Sequence, residues 1–302
     1  MDLKSKIILI YGPTASGKSK FAIELAKKIN GEIINADSMQ VYKELKILTA
    51  RPFKKDCQKI KHHLYGFLSV KKNFSTGEWL KLVNQKIKEL RKKDKVPILV
   101  GGTGLYFKAL TDGLVSFPNI PNKFRQKVRL IHRRIGSKNF YSKLMKLDPK
   151  AENHINSSDT HRVIRAYEIK LFTKKSMFEW FKGTKSNYEN KDFYKIYIDF
   201  PRNELIKKIN LRAEEMIKKG AILEVKRLIK LKISKNKSAN KAIGISEIKQ
   251  YLNKKLQIEN VIEKISIKTR QYAKRQSTWA RGQMIGWNKI YPNSLNKILK
   301  KF

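Results

Sequence analysis

Residues 12–19 constrain the fold of this chain more than any other stretch, because their letters, GPTASGKS, match the pattern G-x-x-x-x-G-K-[S/T]. The preceding residues 6–11 are a short apolar, β-branched run that predicts a buried strand. After the loop, apolar residues recur at helical spacing at Phe21, Ala22, Leu25, Ala26 and Ile29. A strand, a glycine-rich loop and a helix in this order form a P-loop, so we expect the chain to bind a di- or triphosphate.

Each residue type in this loop has a physical role in holding an anion. Glycines let the backbone turn tightly and direct its N–H groups at the ligand, and the helix N-terminus adds its dipole. Lys18 adds a full positive charge, and Ser19 carries the hydroxyl that usually completes a Mg²⁺ shell, so Mg²⁺ is the expected cofactor. The predicted diphosphate or nucleotide site consists of Gly12, Pro13, Thr14, Ala15, Ser16, Gly17, Lys18 and Ser19.

The composition indicates a cytoplasmic protein with a large excess of positive charge. None of the 302 residues belongs to an apolar run long enough to span a membrane, and we expect no signal peptide. Cys57 is the only cysteine, which excludes an intrachain disulfide. The net charge of +43 favours a nucleic-acid partner. Most of the basic residues are lysine, however, a bias that an AT-rich genome also produces, so charge alone is weak evidence.

Two further predicted strands end in polar residues. Residues 32–36 lead into Asp37, and residues 96–100 lead into a glycine-rich loop that contains Thr103. Because α/β proteins carry their chemistry at the carboxyl ends of parallel strands, Asp37 and Thr103 are candidates for the phosphate end of the sheet. Taken alone, Asp37 is more simply interpreted as a helix cap or a turn residue.

From about residue 116 the pattern changes to a basic, helical region. No further strand is predicted until residues 193–198. Asp159 or Thr160 is a candidate N-cap for a helix that carries Arg162 and Arg165 on one face. The predicted fold is α/β, with a P-loop core and parallel sheet formed by residues 1–116 and 199–302 and a helical insertion at residues 117–198.

The last third of the chain is predicted to be helical. One helix spans residues 203–219 and carries Arg212, and a longer one spans residues 258–281. Along the longer helix Lys268, Gln271 and Arg275 share one face. By spacing alone that face is equally well explained as a solvated charged surface or as a binding surface.

Seven stretches, in this order, resemble the tRNA dimethylallyltransferases, a family of tRNA-modifying isopentenyltransferases also called IPP transferases. They are GPTASGKS at 12–19, INADSMQVY at 34–42, TARP at 49–52, GGTGLYFKAL at 101–110, HRVIRAYEI at 161–169, KAIGISEI at 241–248 and KTRQYAKRQSTWAR at 268–281. They extend over nearly the whole chain and are far more specific together than a P-loop alone. One position departs from the family pattern, since Ile245 follows Gly244 where an aromatic residue is expected.

The resemblance implies a P-loop α/β core with a helical insertion. It also implies transfer of a dimethylallyl group from dimethylallyl diphosphate to the exocyclic N6 amine of the adenosine 3′-adjacent to the anticodon, with release of diphosphate. Asp37 then becomes a candidate general base for that amine, a role typically worth ~100- to 10,000-fold in rate. Thr103 and Arg212 are implied to reach the diphosphate beside Lys18. The catalytic candidates are therefore Asp37, Thr103, Lys18 and Arg212.

The implied partners are dimethylallyl diphosphate and tRNA, bound through its anticodon stem-loop by a monomer. The adenine must leave its stack to react, so base flipping is expected. The basic insertion is expected to hold the anticodon arm. The residues assigned to tRNA binding on this resemblance are Asp37, Ser38, Met39, Gln40, Thr103, Arg125, His161, Arg162, Val163, Ile164, Arg165, Lys241, Gly244, Lys268 and Arg275.

Two other functions fit parts of the sequence. A P-loop nucleotide or small-molecule kinase would use the same loop, with Asp37 as its base, and would turn over ATP. It leaves the basic insertion and residues 274–281 without a role. A non-catalytic RNA-binding protein with the P-loop as a switch explains the charge, but it gives Asp37 and Thr103 no task. The motif leaves open whether a nucleoside triphosphate also binds.

Overall fold

The computed structural model of the chain describes residues 3–57, 59–294 and 299. At its centre lies a six-stranded sheet in which every neighbouring pair is parallel. The strands are β1 (Ile7–Tyr11), β2 (Gly31–Asn35), β3 (His62–His63), β4 (Val96–Gly101), β5 (Phe193–Ile198) and β6 (Asn288–Ile290), in the spatial order β3-β2-β4-β1-β5-β6. The predicted α/β class with a parallel sheet is confirmed.

The described part of the chain contains ten α-helices. They are α1 (Lys18–Lys28), α2 (Thr76–Arg91), α3 (Gly104–Thr111), α4 (Asn122–Leu147), α5 (Thr160–Thr173), α6 (Met177–Phe181), α7 (Arg202–Lys218), α8 (Ala221–Lys230), α9 (Ile245–Leu252) and α10 (Ile258–Gln283). Helix α4 is broken at Gly136, where φ is +76°. No helix within the described ranges is long and apolar enough to cross a membrane.

The central strand β1 is apolar throughout because both of its faces are covered. Ile7, Leu9 and Tyr11 pack on one side with α2 and α3, whereas Ile8 and Ile10 pack on the other side with α1. All five residues of β1 are fully buried. A parallel strand buried on both faces loses the alternation of an exposed strand, which explains the uninterrupted apolar run in the sequence.

The chain divides into two compact units. The sheet unit comprises Met1–Thr111 and Tyr188–Phe302, and the insertion unit comprises Asp112–Asn187. The insertion unit contains α4, α5 and α6 around its own core, to which Phe140, Val163 and Tyr167 belong. The insertion predicted at residues 117–198 included β5. That strand pairs with both β1 and β6, so it belongs to the sheet unit.

Candidate active site

The P-loop connects β1 to α1 and presents unpaired N–H groups at the start of the helix. Gly17 is the N-cap residue of α1 at φ +83°, and Ala15 also has a positive φ of +65°. Within the described residues, the N–H groups of Gly17, Lys18 and Ser19 have no hydrogen-bond partner. The hydroxyl of Ser16 is buried there and is also unpartnered. Free N–H groups grouped at a helix N-terminus form an anion-binding nest.

Two cations lie at this nest. Lys18 Nζ donates to the Pro13 carbonyl at 3.2 Å, and Arg212 Nη1, from α7, donates to Thr14 Oγ1 at 3.1 Å. Burial lowers the pKa of Lys18 to about 8, an effect that Asp37 opposes and Arg212 adds to. Burial also lowers the pKa of Arg212, and its Nε is buried with no partner in the described part of the chain. The site therefore contains positive charge that lacks the full compensation a diphosphate would supply.

Asp37 lies in the turn that follows β2, where Asn35 fixes its backbone. Asp37 N–H donates to Asn35 Oδ1 at 2.9 Å, and Asn35 Nδ2 donates to the Asp37 carbonyl at 2.9 Å. Oδ1 of Asp37 accepts from the N–H groups of Met39 at 2.9 Å and Gln40 at 3.4 Å. Oδ2 has no hydrogen-bond partner among the described residues. One carboxylate oxygen therefore holds the turn, as the cap interpretation requires, while the other is available to a ligand.

Thr103 reaches the same turn from the end of β4. Its Oγ1 accepts from the Ser38 N–H at 3.0 Å and lies 3.3 Å from Ser38 Oγ. The hydroxyl of Tyr272, from α10, lies near Thr103. Burial and the negative charge of Asp37 raise the pKa of Tyr272, which keeps this phenol neutral. Asp37, Ser38, Thr103 and Tyr272 thus lie together as one polar cluster.

A cavity of about 310 Å³ opens at this cluster. Its polar wall includes Thr14, Asp37, Arg212 and Tyr272, and its apolar wall consists mainly of Leu48, Ile209, Met216, Ile243 and Ile265. A second cavity, of about 440 Å³, lies over the P-loop and is lined by Lys18 and Ser19. Asp37 and Arg212 line both cavities. The phosphate nest therefore continues into a pocket with one polar and one apolar side.

Ser19 provides the only group of this nest that was predicted to hold a metal. It lies in the first turn of α1 and is exposed toward the cavity over the P-loop. In the described ranges, no three His, Cys, Asp or Glu side chains gather as a metal site. Because Mg²⁺ is usually bound by one or two protein groups together with water and substrate phosphates, a single hydroxyl beside a phosphate nest fits Mg²⁺ that arrives with its diphosphate.

Of the other predicted tRNA-binding residues in the sheet unit, Ser38, Met39, Lys241 and Arg275 line the 310 Å³ cavity. Gln40 lines the cavity over the P-loop, and its Nε2 donates to the Thr49 carbonyl at 2.9 Å. The fold therefore places all five of these residues in the walls of the two cavities.

Gly244 and Lys268 have structural roles as well. Gly244 begins α9 at φ +103°, and a Cβ there would lie 2.6 Å from Leu48 Cδ2, so the backbone requires glycine. Lys268 pairs with the buried carboxylate of Glu247, whose other oxygen accepts from the Gly244 N–H at 3.0 Å. Ile245, the position that departs from the family pattern, is buried beside them.

In the insertion unit the predicted residues differ in exposure. His161 and Arg162 are exposed near the start of α5, whereas Val163 is buried in the core of the unit and Ile164 packs against that core. The Val163 side chain is therefore packed inside the unit, and its assignment to tRNA binding stays a prediction. Arg125 lies in α4, and its Nε is buried without a partner among the described residues.

The two arginines of α5 both contact acids. Arg162 Nε lies 3.5 Å from Asp159 Oδ2, and Asp159 also caps α5. Arg165 Nη1 lies 3.3 Å from Glu168 Oε2, and its guanidinium lies 5.2 Å from the centre of the Phe117 ring. The Arg162 side chain is 63% exposed and that of Glu168 only 3%. Arg165 therefore neutralises a buried charge, whereas the ion pair of Arg162 lies at the surface, where its guanidinium is accessible to a phosphate.

Two residues of the site were not recognised as candidates in the sequence. Tyr272 lines the 310 Å³ cavity, and Gln276, one helical turn later, accepts from the Thr14 N–H at 2.8 Å. Sequence reasoning followed the charged face of α10, and these two side chains lie beside that face, on its less exposed edge. Their i, i+4 spacing within the stretch at 268–281 was the available signal.

Comparisons with known proteins agree on one family. A family model described as IPP transferase matches residues 40–283. A tRNA dimethylallyltransferase from Pelagibacter ubique is 58% identical over 301 residues, which is 100% of this chain and 96% of that protein. A tRNA dimethylallyltransferase from Rickettsia massiliae is 45% identical over 282 residues, covering 93% of this chain and 78% of that protein.

Solved structures are also similar. A tRNA delta(2)-isopentenylpyrophosphate transferase from Staphylococcus epidermidis is 33% identical with a TM-score of 0.69, covering 98% of this chain and 96% of that chain. A eukaryotic dimethylallyltransferase acting on tRNA is 29% identical with a TM-score of 0.85, covering 97% of this chain and 75% of that chain.

Proposed function

The chain belongs to the IPP transferase family, and from this premise we propose that it transfers a dimethylallyl group from dimethylallyl diphosphate to N6 of the adenosine 3′-adjacent to the anticodon in tRNA. The observation that carries the proposal is the cavity that joins the P-loop nest to Asp37. The nest suits a diphosphate, the apolar wall suits a prenyl group, and Asp37 Oδ2 suits an exocyclic amine.

The leaving group departs into the P-loop. As the bond between the allylic carbon and the diphosphate oxygen breaks, its electron pair stays on the diphosphate. Gly17, Lys18, Ser19 and Arg212 already line that space, so their N–H groups and charges stabilise the growing negative charge without a large rearrangement. Mg²⁺ bound with the diphosphate beside Ser19 would add further positive charge there.

The amine acts as nucleophile once its proton has an acceptor. The N6 lone pair is delocalised into the adenine ring, so the amine needs help from a base. Asp37 Oδ2 is unpartnered in the described part of the chain, and Oδ1 is held by two N–H groups. As the new bond between N6 and the allylic carbon forms, Oδ2 accepts the N6 proton. Tyr272 lines the same cavity, and Thr103 holds the turn that carries Asp37 by accepting from the Ser38 N–H.

We expect a monomer, because all of these groups come from one chain, and a cytoplasmic location, where tRNA is handled. The exposed basic residues of the insertion unit, including Arg162, are the expected contacts to the anticodon arm.

The test uses purified protein, Mg²⁺, radiolabelled dimethylallyl diphosphate and an unmodified tRNA with adenosine 3′ of its anticodon. We expect label in the tRNA and N6-dimethylallyladenosine after nuclease digestion. A tRNA with guanosine at that position and the variant Asp37→Asn are the matched controls. Absence of label in tRNA, together with ATP-dependent phosphorylation of a nucleotide or small molecule, would instead support the kinase.

A further inference from the structure

A single buried glutamine joins the two glycine-rich loops of the site. Gln276, on α10, is 4% exposed. Its Oε1 accepts from the Thr14 N–H at 2.8 Å, and its Nε2 donates to the Gly102 carbonyl at 2.8 Å. These partners are 262 and 174 residues away in the chain. The side chain therefore bridges the P-loop and the loop between β4 and α3.

The main chain of Gln276 is also fixed by a hydrogen bond. The hydroxyl of Tyr11, the last residue of β1, donates to the Gln276 carbonyl at 2.9 Å. On the other side, a Cβ at Gly102 would lie 2.0 Å from Gln276 Nε2, so the amide sits directly against the glycine backbone. The bridge leaves little freedom for either loop to move relative to α10.

Each of the two residues that Gln276 bonds is connected to a residue of the proposed reaction. Thr14 accepts a hydrogen bond from Arg212 through its hydroxyl, and Thr103, which follows Gly102, accepts from the Ser38 N–H. A side-chain amide donates with one atom and accepts with another, which is what the Gly102 carbonyl and the Thr14 N–H together require. A carboxylate of the same length can only accept.

We propose that Gln276 is a positioning residue for prenyl transfer, whose amide sets the spacing between the phosphate-binding P-loop and Thr103. This inference rests on the proposed function. Gln276 does not touch the reacting atoms in this arrangement. It acts by fixing the distance between the diphosphate side and the acceptor side of the cavity. A misplacement of about 1 Å between reacting groups can lower a rate by about 100-fold.

The variant Gln276→Glu tests the need for the donor with almost no change of shape. At about pH 8 we expect kcat to fall roughly 10- to 100-fold while the Kd for tRNA changes less than about threefold. Burial raises the pKa of a carboxyl placed there, and its protonated form regains an O–H that can donate to Gly102. The ratio of variant to wild-type kcat should therefore rise as the pH falls toward about 6.

Gln283→Glu is the matched control. It makes the same chemical change on the same helix, at a side chain that accepts from Lys108 at 2.6 Å on the surface. Its kcat and pH profile should follow those of the wild type. If Gln276→Glu transfers prenyl groups like the wild type, or if its ratio stays flat with pH while only its Tm falls, Gln276 is merely structural and the inference is overturned.

A double-mutant cycle keeps the test decisive if the glutamate variant does not fold. Gly102→Ala displaces the amide, and Gln276→Ala removes it, so both changes should lower kcat through the same defect. The double variant should then be no slower than the slower single variant. Multiplicative losses would contradict the bridge. A wild-type protein that transfers no prenyl group would contradict the proposed function instead.

Discussion

Removing the carboxylate of Glu224 should loosen residues 46–48, which lead directly into Thr49, a residue that lines both cavities of the site. Glu224 lies in the first turn of α8, where Oε2 accepts from the N–H groups of Lys46 at 2.9 Å and Ile47 at 2.8 Å, and Oε1 accepts from Leu48 at 3.0 Å. Hydrogen bonds to a charged acceptor contribute roughly 1.5–3 kcal/mol each. The three share one carboxylate and water replaces part of them, so we expect Glu224→Ala to lower the free energy of unfolding by about 2–4 kcal/mol.

Thermal unfolding measures this loss directly. At about 2–4 °C per kcal/mol for a domain of this size, the Tm should fall by roughly 4–16 °C. Because Leu48 lines the 310 Å³ cavity that we propose for the prenyl group, the KM for dimethylallyl diphosphate should also rise. Glu89→Ala is the control. The Glu89 side chain is 44% exposed on α2, and among the described residues its ion pairs are with Lys86 and Lys93, so the Tm of this variant should stay close to that of the wild type. An unchanged Tm in Glu224→Ala would refute the reasoning, and a lower Tm with unchanged KM would separate this segment from substrate binding.

Three further predictions concern the proposed chemistry and the insertion. Asp37→Asn should lower kcat ~100- to 10,000-fold and leave the Kd for tRNA within a few-fold, as single-turnover kinetics and filter binding would show. The ammonium of Lys18, with its pKa lowered to about 8, is charged below that pH and neutral above it. Titration calorimetry should therefore find weaker binding of inorganic diphosphate as the pH rises through about 8, and Lys18→Met should lose that component of the pH dependence. Arg162→Ala should reduce the salt slope of tRNA binding by roughly 0.7–0.9 without changing the Tm, whereas Arg165→Ala should lower the Tm because it uncovers the buried Glu168. A Tm lowered only by Arg162→Ala would contradict this division.

The elements that the sequence predicted well are those whose signal is local. The strand before the P-loop was predicted within one residue. A continuous apolar run of five to six residues is typical of a parallel strand that is buried on both faces, so the run itself marks the strand. The P-loop itself depends on the order of residues 12–19 alone, since its glycines and the following helix create the nest without help from distant residues.

Short or polar elements were missed for a related reason. Strands β3 and β6 contain two and three residues, and neither has an apolar pattern. They exist because neighbouring strands β2 and β5 offer free edges to pair with. Likewise, β5 was included in the insertion, because the sequence of a strand does not show which other strand it pairs with, here β1 of the sheet unit.

The roles of individual side chains required the tertiary structure. Arg162 and Arg165 are equivalent in sequence, three residues apart on one helix face, yet one is exposed and the other is paired with a buried acid. The two oxygens of Asp37 also differ only in the fold, because backbone N–H groups reach one of them.

The sequence by itself determined the phosphate-binding loop, the parallel α/β class and, through seven ordered stretches, the family of this protein. These properties follow from contacts between residues close in the chain, or from patterns repeated along it. Only the tertiary structure decided that Arg212 joins the P-loop, that Glu224 holds residues 46–48, and that Gln276 bridges two loops far away in the chain. Each of these contacts joins residues more than 170 positions apart, and such pairs meet only after the apolar faces of the strands and helices have packed.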